Sequence, residues 1–261
     1  MKLPIHIVDA FASKHFTGNP AAVVLFGRYP EDALLQAIAA ENNLAETAYP
    51  VPLADGRWEL RWFTPTTEVP LCGHATLASA HVLFAHVLGE QQEIEFVTRQ
   101  SGSLFVQKRD GELVMDFPAI AAGPADEDLQ WLFGSPPVAV FKGADFVMAV
   151  LESAAAVRSF APDRLDVLKL DRGGLIVTAP GDDGHDCVSR FFAPAHGIDE
   201  DPVTGSAHCM IAPYWAKRLG RTEVRAFQAS ARGGALICRV SDTRVELCGT
   251  CVPYLSGEIE V

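Results

Sequence analysis

Hydrophobic and polar positions follow two periods along this chain, which predicts a mixture of helices and strands. Pro30–Asn43 has an apolar face and acids in its first turn, the pattern of an amphipathic helix. Leu44–Tyr49 alternates with the two-residue period of a strand. His74–Leu88 and Ser206–Leu219 have helical length and are apolar around most of their circumference, so we expect both helices to be buried on all sides. Strand patterns continue at Glu93–Thr98, Leu104–Lys108 and Glu112–Phe117.

The same order of strand, glycine, apolar helix and hairpin occurs twice along the chain. Arg61–Pro65 is echoed by Arg190–Pro194, 129 positions later, and both read as strand ends stopped by proline. Gly73 and Gly205, which open the two apolar helices, are 132 positions apart, and the hairpins that follow keep that spacing. The difference predicts a three-residue insertion within the second loop, Ala195–Val203.

From this repeat we expect an α+β fold of two pseudo-symmetric lobes. Each is a curved, mostly antiparallel sheet or barrel around a central helix, and the active site lies in the cleft between them. Pro118–Asp128 is rich in small residues, proline and acids and has no periodicity, which predicts the boundary. We assign residues 1–118 to the N-terminal lobe, allow residues 252–261 to return to it, and assign residues 125–251 to the C-terminal lobe. A single mixed sheet with coincidentally similar halves is the alternative.

Composition narrows the class of protein. The 261 residues carry 21 Lys and Arg against 33 Asp and Glu, a net charge of −12, which argues against a nucleic-acid partner. No apolar run reaches the roughly 20 residues of a membrane span, and the N-terminus lacks the apolar stretch of a signal peptide. Six cysteines are few for a disulfide scaffold. We therefore expect a soluble, cytoplasmic protein.

Two glycines at helix starts, Gly73 and Gly205, are candidates for ligand binding. A helix N-terminus presents unpaired N–H groups and partial positive charge, so the pair can hold a carboxylate or stabilise an enolate-like anion. His74 follows Gly73 directly, and Asp201 precedes Gly205 by four residues. Structural alternatives are tight turns at both glycines and an N-cap formed by Asp201 or Ser206.

Glu46 is the clearest polar anomaly in an apolar pattern. Alternation within Leu44–Tyr49 puts it on the same face as Leu44 and Ala48. A carboxylate on an apolar face is costly unless it is paired, and such a group suits a role in taking and returning a proton. The alternative is an edge strand that leaves Glu46 in water.

Motifs for metals and nucleotide cofactors are missing. Cys248-Gly249-Thr250-Cys251 has no second cysteine pair at zinc spacing, and neither a Walker loop nor a dinucleotide-binding glycine motif occurs. We therefore interpret the two cysteines as core or strand-end thiols and predict no metal site.

Five segments resemble the signatures of one family, the PhzF family of phenazine-biosynthesis isomerases, which is related in fold to diaminopimelate epimerase. They occur in order between about residue 8 and about residue 234, so the resemblance covers nearly the whole chain. The segments are Gly18–Val24, Leu44–Tyr49, Arg61–Pro65, Leu71–Thr76 and Glu200–His208.

The resemblance implies cofactor-independent proton transfer on a small-molecule substrate. The member that names the family isomerises trans-2,3-dihydro-3-hydroxyanthranilate, and Glu46 matches the glutamate that moves the proton. The family's substrate-surrounding residues are matched by His74, Asp201 and Ser206, and its helix-start positions by Gly73 and Gly205. Members are commonly homodimers, so we expect a homodimer here.

One departure separates this chain from the epimerase relatives, which use paired cysteines at the two glycine-helix joints. Cys72 stands at the first joint, but Pro202 falls where the second cysteine aligns, and proline carries no proton. A one-base shuttle by Glu46 fits better. Rival hypotheses are a racemase or epimerase that pairs Cys72 with another group, a binding protein without chemistry, and a hydrolase or lyase.

Overall fold

The computed structural model describes residues 1–261, which divide into two compact units. The first unit comprises Met1–Asp116 together with Cys248–Val261, and the second comprises Phe117–Leu247. The C-terminal segment thus belongs to the first unit, because it forms a long strand that pairs with the N-terminal strand from Lys2 opposite Glu260 to Ala10 opposite Cys251.

The first unit is a mostly antiparallel sheet with two helices. The strands are β1 (Lys2–Ala10), β2 (Asn19–Val24), β3 (Glu46–Pro52), β4 (Trp58–Phe63), β5 (Glu68–Val69), β6 (Glu93–Val97), β7 (Ser103–Arg109), β8 (Glu112–Pro118) and β18 (Cys251–Glu260), and the helices are α1 (Asp32–Asn42) and α2 (Gly73–His86). The strands follow one another across the sheet in the order β18-β1-β2-β3-β4-β6-β7-β8, with β5 beside β4.

The second unit is built in the same way. The strands are β9 (Gly123–Pro124), β10 (Ala139–Lys142), β11 (Phe146–Val150), β12 (Gly174–Pro180), β13 (Cys187–Ala193), β14 (Ile198–Asp201), β15 (Glu223–Gln228), β16 (Gly234–Val240) and β17 (Arg244–Gly249). They follow one another in the order β9-β10-β11-β12-β13-β15-β16, with β14 beside β13 and a turn leading from β16 to β17. The helices are α3 (Gln130–Phe133), α4 (Ala154–Ser159), α5 (Arg164–Val167) and α6 (Gly205–Leu219).

Both units share one pairing pattern, which confirms the predicted α+β repeat. From β1 to β7, and again from β10 to β16, the pairings run antiparallel, parallel, antiparallel, parallel, antiparallel. Parallel neighbours need a crossover, and a helix supplies each one. The loop predicted to contain the insertion, Ala195–Val203, holds the end of a 3₁₀ turn at Pro194–His196 and the strand β14.

The two helices that follow the glycines are buried, as their composition predicts. In α2 only Gly73, His81 and the last turn depart from the buried state, because Ala, Leu, Val and Phe side chains face protein in every direction. In α6 the residues up to Ala216 are buried except for the exposed Ser206 and the half-buried Pro213 and Tyr214, and Lys217 and Arg218 then reach solvent. Neither these nor any other helix is long and apolar enough to cross a membrane.

Two predictions about the first unit need correction. The strand predicted from Leu44 begins at Glu46, because Asn43 ends α1 in a left-handed conformation and Leu44 and Ala45 form the bend that follows. The edge-strand alternative is wrong, since β3 pairs with β2 on one side and β4 on the other.

Candidate active site

Glu46 is a buried carboxylate at the start of β3. The residue is 7% exposed because the strand is paired on both sides, and its parallel partner across the sheet is Ala21 of β2. Its Oε2 atom lies 3.1 Å from Nε2 of His74. That atom accepts no hydrogen bond, so the contact is an ion pair and the oxygen keeps its lone pairs for another partner.

His74 is the second residue of α2, and its ring joins three groups. Besides Glu46 at Nε2, the ring has Nδ2 of Asn19 at 3.1 Å from its Nδ1 and Sγ of Cys72 at 3.4 Å from the same nitrogen. Asn19 opens β2, the strand next to β3, so sheet pairing carries both polar side chains to the start of α2. The result is a chain of thiol, imidazole and carboxylate, all buried.

Burial and the neighbouring groups act in opposite directions on the pKa of His74. Burial by itself lowers the pKa of His74, but the neighbouring Cys72 and Glu46 outweigh it and raise the pKa well above 6.5. Burial, assisted by the negative charge of Glu46, raises the pKa of the Cys72 thiol to about 11. Cys72 is therefore a protonated thiol at neutral pH.

The N-termini of α2 and α6 are open in the same way. Cys72 and Thr204 hold the N-cap positions, and neither side chain makes a capping hydrogen bond. In each helix a side chain four residues on binds the carbonyl of the N-cap residue: Thr76 Oγ1 donates to Cys72 at 2.6 Å, and His208 Nδ1 contacts Thr204 at 2.8 Å. Free N–H groups and helix dipole therefore favour an anion at both Gly73 and Gly205.

Asp201 ends β14 and is held by a buried polar network. Thr204 Oγ1 donates to its Oδ2, and Gln228 Nε2 donates to its carbonyl oxygen at 2.7 Å. The side-chain oxygen Oε1 of Gln228 accepts from the backbone N–H of Thr204 at 2.9 Å, which joins the end of β15 to the helix start. Because Thr204 occupies the N-cap position, the structural alternative of an N-cap formed by Asp201 or Ser206 is wrong.

A bidentate arginine–glutamate pair precedes the helix in each unit. Arg61 Nε and Nη2 each donate to Glu68 at 2.7 Å. Arg190 Nε and Nη2 donate to Glu200 at 2.6 and 2.8 Å. Glu200 adjoins Asp201, so the second pair restrains the segment that carries this carboxylate.

Comparison with known proteins gives this architecture a family. Residues 8–257 match the family described as phenazine biosynthesis-like protein, PhzC-PhzF. An uncharacterized isomerase of Pseudomonas aeruginosa is 48% identical over 263 residues, which cover 100% of each chain. The chain belongs to the PhzF family.

Solved structures agree with this PhzF assignment. A PhzF-family phenazine biosynthesis protein of Enterococcus faecalis superimposes with a TM-score of 0.95 at 42% identity, over 100% of both chains. A hydroxyproline epimerase of Agrobacterium vitis superimposes with a TM-score of 0.61 at 10% identity, over 99% of this chain and 92% of that one, and so shares the fold. The sequence resemblance to the PhzF family is thereby confirmed.

The structure distributes the predicted site residues of this PhzF protein between the units. Three of them, Glu46, Gly73 and His74, come together in the first unit; Asp201, Gly205 and Ser206 come together in the second, where Ser206 is exposed.

Two polar partners escaped the sequence analysis. Asn19 lies within the segment Gly18–Val24 that resembles the family, but its pattern is typical of a turn residue. Its position directly before Pro20 was the one signal in the sequence that could have singled it out. Gln228 carries no local signal, because its partners lie 24 and 27 positions away.

Proposed function

We propose that this PhzF-family protein is an isomerase that moves a proton on a small, carboxylated metabolite, with Glu46 as the acid and base. One observation carries the proposal: a buried carboxylate oxygen without a hydrogen bond, 3.1 Å from an imidazole. Such an oxygen is free to take a proton from carbon, and the neighbouring His74 stabilises its charged form. The names of relatives support the class, since several are called isomerases.

In the proposed cycle one group, Glu46, carries the proton between two carbons of the substrate. Glu46 removes a proton from a carbon of the substrate and returns it to another carbon of the conjugated system, so it ends the cycle as a carboxylate. The N–H groups at Gly73 or at Gly205 hold the substrate carboxylate, and Ser206 donates a hydrogen bond to the substrate. His74 and Asp201 orient the substrate. No cofactor takes part in this cycle.

Proton NMR in D₂O tests the proposal with trans-2,3-dihydro-3-hydroxyanthranilate as substrate. We expect wild-type protein to isomerise it with exchange of a carbon-bound proton, and Glu46→Gln to be slower by about 10²- to 10⁴-fold, because the amide keeps the shape and removes the base. Glu41→Gln, the same change on the exposed face of α1, is the matched control and retains activity.

Wild-type turnover by Glu46→Gln refutes Glu46 as the base. Turnover that changes the mass of the product refutes the isomerase class and favours a hydrolase or lyase.

A second candidate is a racemase or epimerase that uses Cys72. The position of Sγ at 3.4 Å from His74 Nδ1 favours it, because an imidazole at that distance exchanges a proton with a thiol. Activity of the wild-type protein on a chiral amino acid, lost in Cys72→Ser and kept in Glu46→Gln, supports this candidate over the first.

A further inference from the structure

The first unit contains a convergent set of three different ligand atoms. Oε2 of Glu46, Sγ of Cys72 and a ring nitrogen of His74 all lie within 4.8 Å of one another, and all three residues are buried. His74 Nε2 is 3.1 Å from the carboxylate oxygen and 3.9 Å from the sulfur.

These atoms are the donors that zinc and similar thiophilic ions prefer. Bond lengths of about 2.0–2.3 Å to oxygen, nitrogen and sulfur place tetrahedral ligand atoms about 3.3–3.6 Å apart. The separations of 3.1 and 3.9 Å lie a few tenths of an ångström to either side of that range, within reach of small side-chain rotations. A thiolate and a carboxylate also match the double charge of the ion, and three protein ligands leave the fourth position to water.

Two further observations point to a ligand here. Oε2 of Glu46 is buried and accepts no hydrogen bond, which is costly for a carboxylate unless something else binds it. The Asn19 amide lies 3.1 Å from Nδ1 and can present its oxygen to that nitrogen, as the outer partner of a metal-bound histidine does, which leaves Nε2 to face Glu46.

We propose that Cys72, His74 and Glu46 bind a thiophilic divalent ion such as Zn²⁺, and that the bound ion inhibits the enzyme. On binding, the Cys72 thiol and the His74 ring each release a proton to solvent; the sulfur and the freed Nε2 then each donate an electron pair to the metal, and Oε2 of Glu46 donates a third. Inhibition follows because a coordinated Glu46 has no free oxygen to accept a proton. The inhibitory part rests on the proposed function; the binding part does not.

Titration of metal-free protein with Co²⁺ tests binding without any substrate. We expect a single equivalent to produce the near-ultraviolet thiolate-to-cobalt band and the intense visible bands of tetrahedral coordination. Cys72→Ser abolishes the thiolate band, and Asn19→Ala, which removes only the outer partner, weakens binding by about 10- to 100-fold. Cys251→Ser is the matched control, because it removes a thiol of the Cys248/Cys251 pair and leaves the three ligands intact.

The outcomes separate the two parts of the proposal. No thiolate band with wild-type protein, or a band that persists in Cys72→Ser and disappears in Cys251→Ser, overturns the site. Circular dichroism confirms that each variant is folded.

The inhibitory part is tested once binding is established. We expect Zn²⁺ to inhibit proton exchange in the wild-type protein and EDTA to restore the exchange. The Asn19→Ala variant should need about 10- to 100-fold more Zn²⁺ for half inhibition, measured against its own metal-free rate. Full activity of the zinc-loaded protein overturns the inhibitory role and leaves the site standing.

Discussion

Acid is expected to destabilise this protein through one buried histidine, His208 of α6. The side chain is fully buried, with Nδ1 at 2.8 Å from the carbonyl oxygen of Thr204 and Nε2 at 3.5 Å from Oγ of Ser189. Burial lowers its pKa from 6.5 to about 4, and the bond to Thr204 offsets only part of this effect. The neutral ring is therefore the form that packs in the folded protein.

The size and sign of the effect follow from these two pKa values. Since the folded pKa lies below the unfolded one, the unfolded chain binds the proton first as the pH falls. The contribution of His208 is fully present above about pH 6.5 and is lost as the pH falls towards about 4. At about 1.4 kcal/mol per pH unit, the gap is worth about 3 kcal/mol of unfolding free energy.

The substitution His208→Thr isolates this contribution, because the first unit already has a threonine at the equivalent position. Thr76, at the equivalent position of α2, donates to the carbonyl of Cys72 as His208 does to that of Thr204. Urea denaturation at pH 7, 6, 5 and 4 measures the unfolding free energy of both proteins. Any packing cost of the smaller side chain is independent of pH and shifts one curve by a constant.

We expect the wild-type protein to lose about 3 kcal/mol more than His208→Thr between about pH 7 and about pH 4. Parallel curves refute the reasoning, because they mean that His208 either stays accessible to protons or is stabilised when charged.

Two further predictions concern the first unit. Glu46→Gln should bring the pKa of His74 down from its raised value, since burial then acts without the carboxylate; ring-nitrogen NMR shifts against pH measure this, and an unchanged pKa contradicts the ion pair. Gly18→Ala should destabilise by at least about 2 kcal/mol, because φ is +71° and a Cβ atom would lie 2.3 Å from the Ala10 carbonyl oxygen. Gly56→Ala, at φ +88° with nothing within 4 Å of the Cβ, should cost only about 1 kcal/mol, and equal thermal unfolding shifts for the two variants contradict the steric argument.

Features that depend on neighbouring residues were predictable from the sequence. The helices α2 and α6 begin only one residue before their predicted starts. Their positions could be predicted because the apolar composition of each helix and the glycine at its start are local signals. The repeat was visible for the same reason, since two copies of one supersecondary unit carry similar local patterns. The PhzF resemblance rested on short segments of this kind, and they also contain the residues that now form the candidate site.

Only the tertiary structure decided which polar groups meet. The sequence was compatible with either a buried or a solvent-exposed Glu46. In the structure β3 lies between β2 and β4, and Glu46 is buried. Its contact with His74 joins residues 28 positions apart, and the contact of Asn19 with the same ring joins residues 55 positions apart. Such contacts depend on strand order and register, which arise from packing the whole apolar surface at once, so no local pattern along the chain records them.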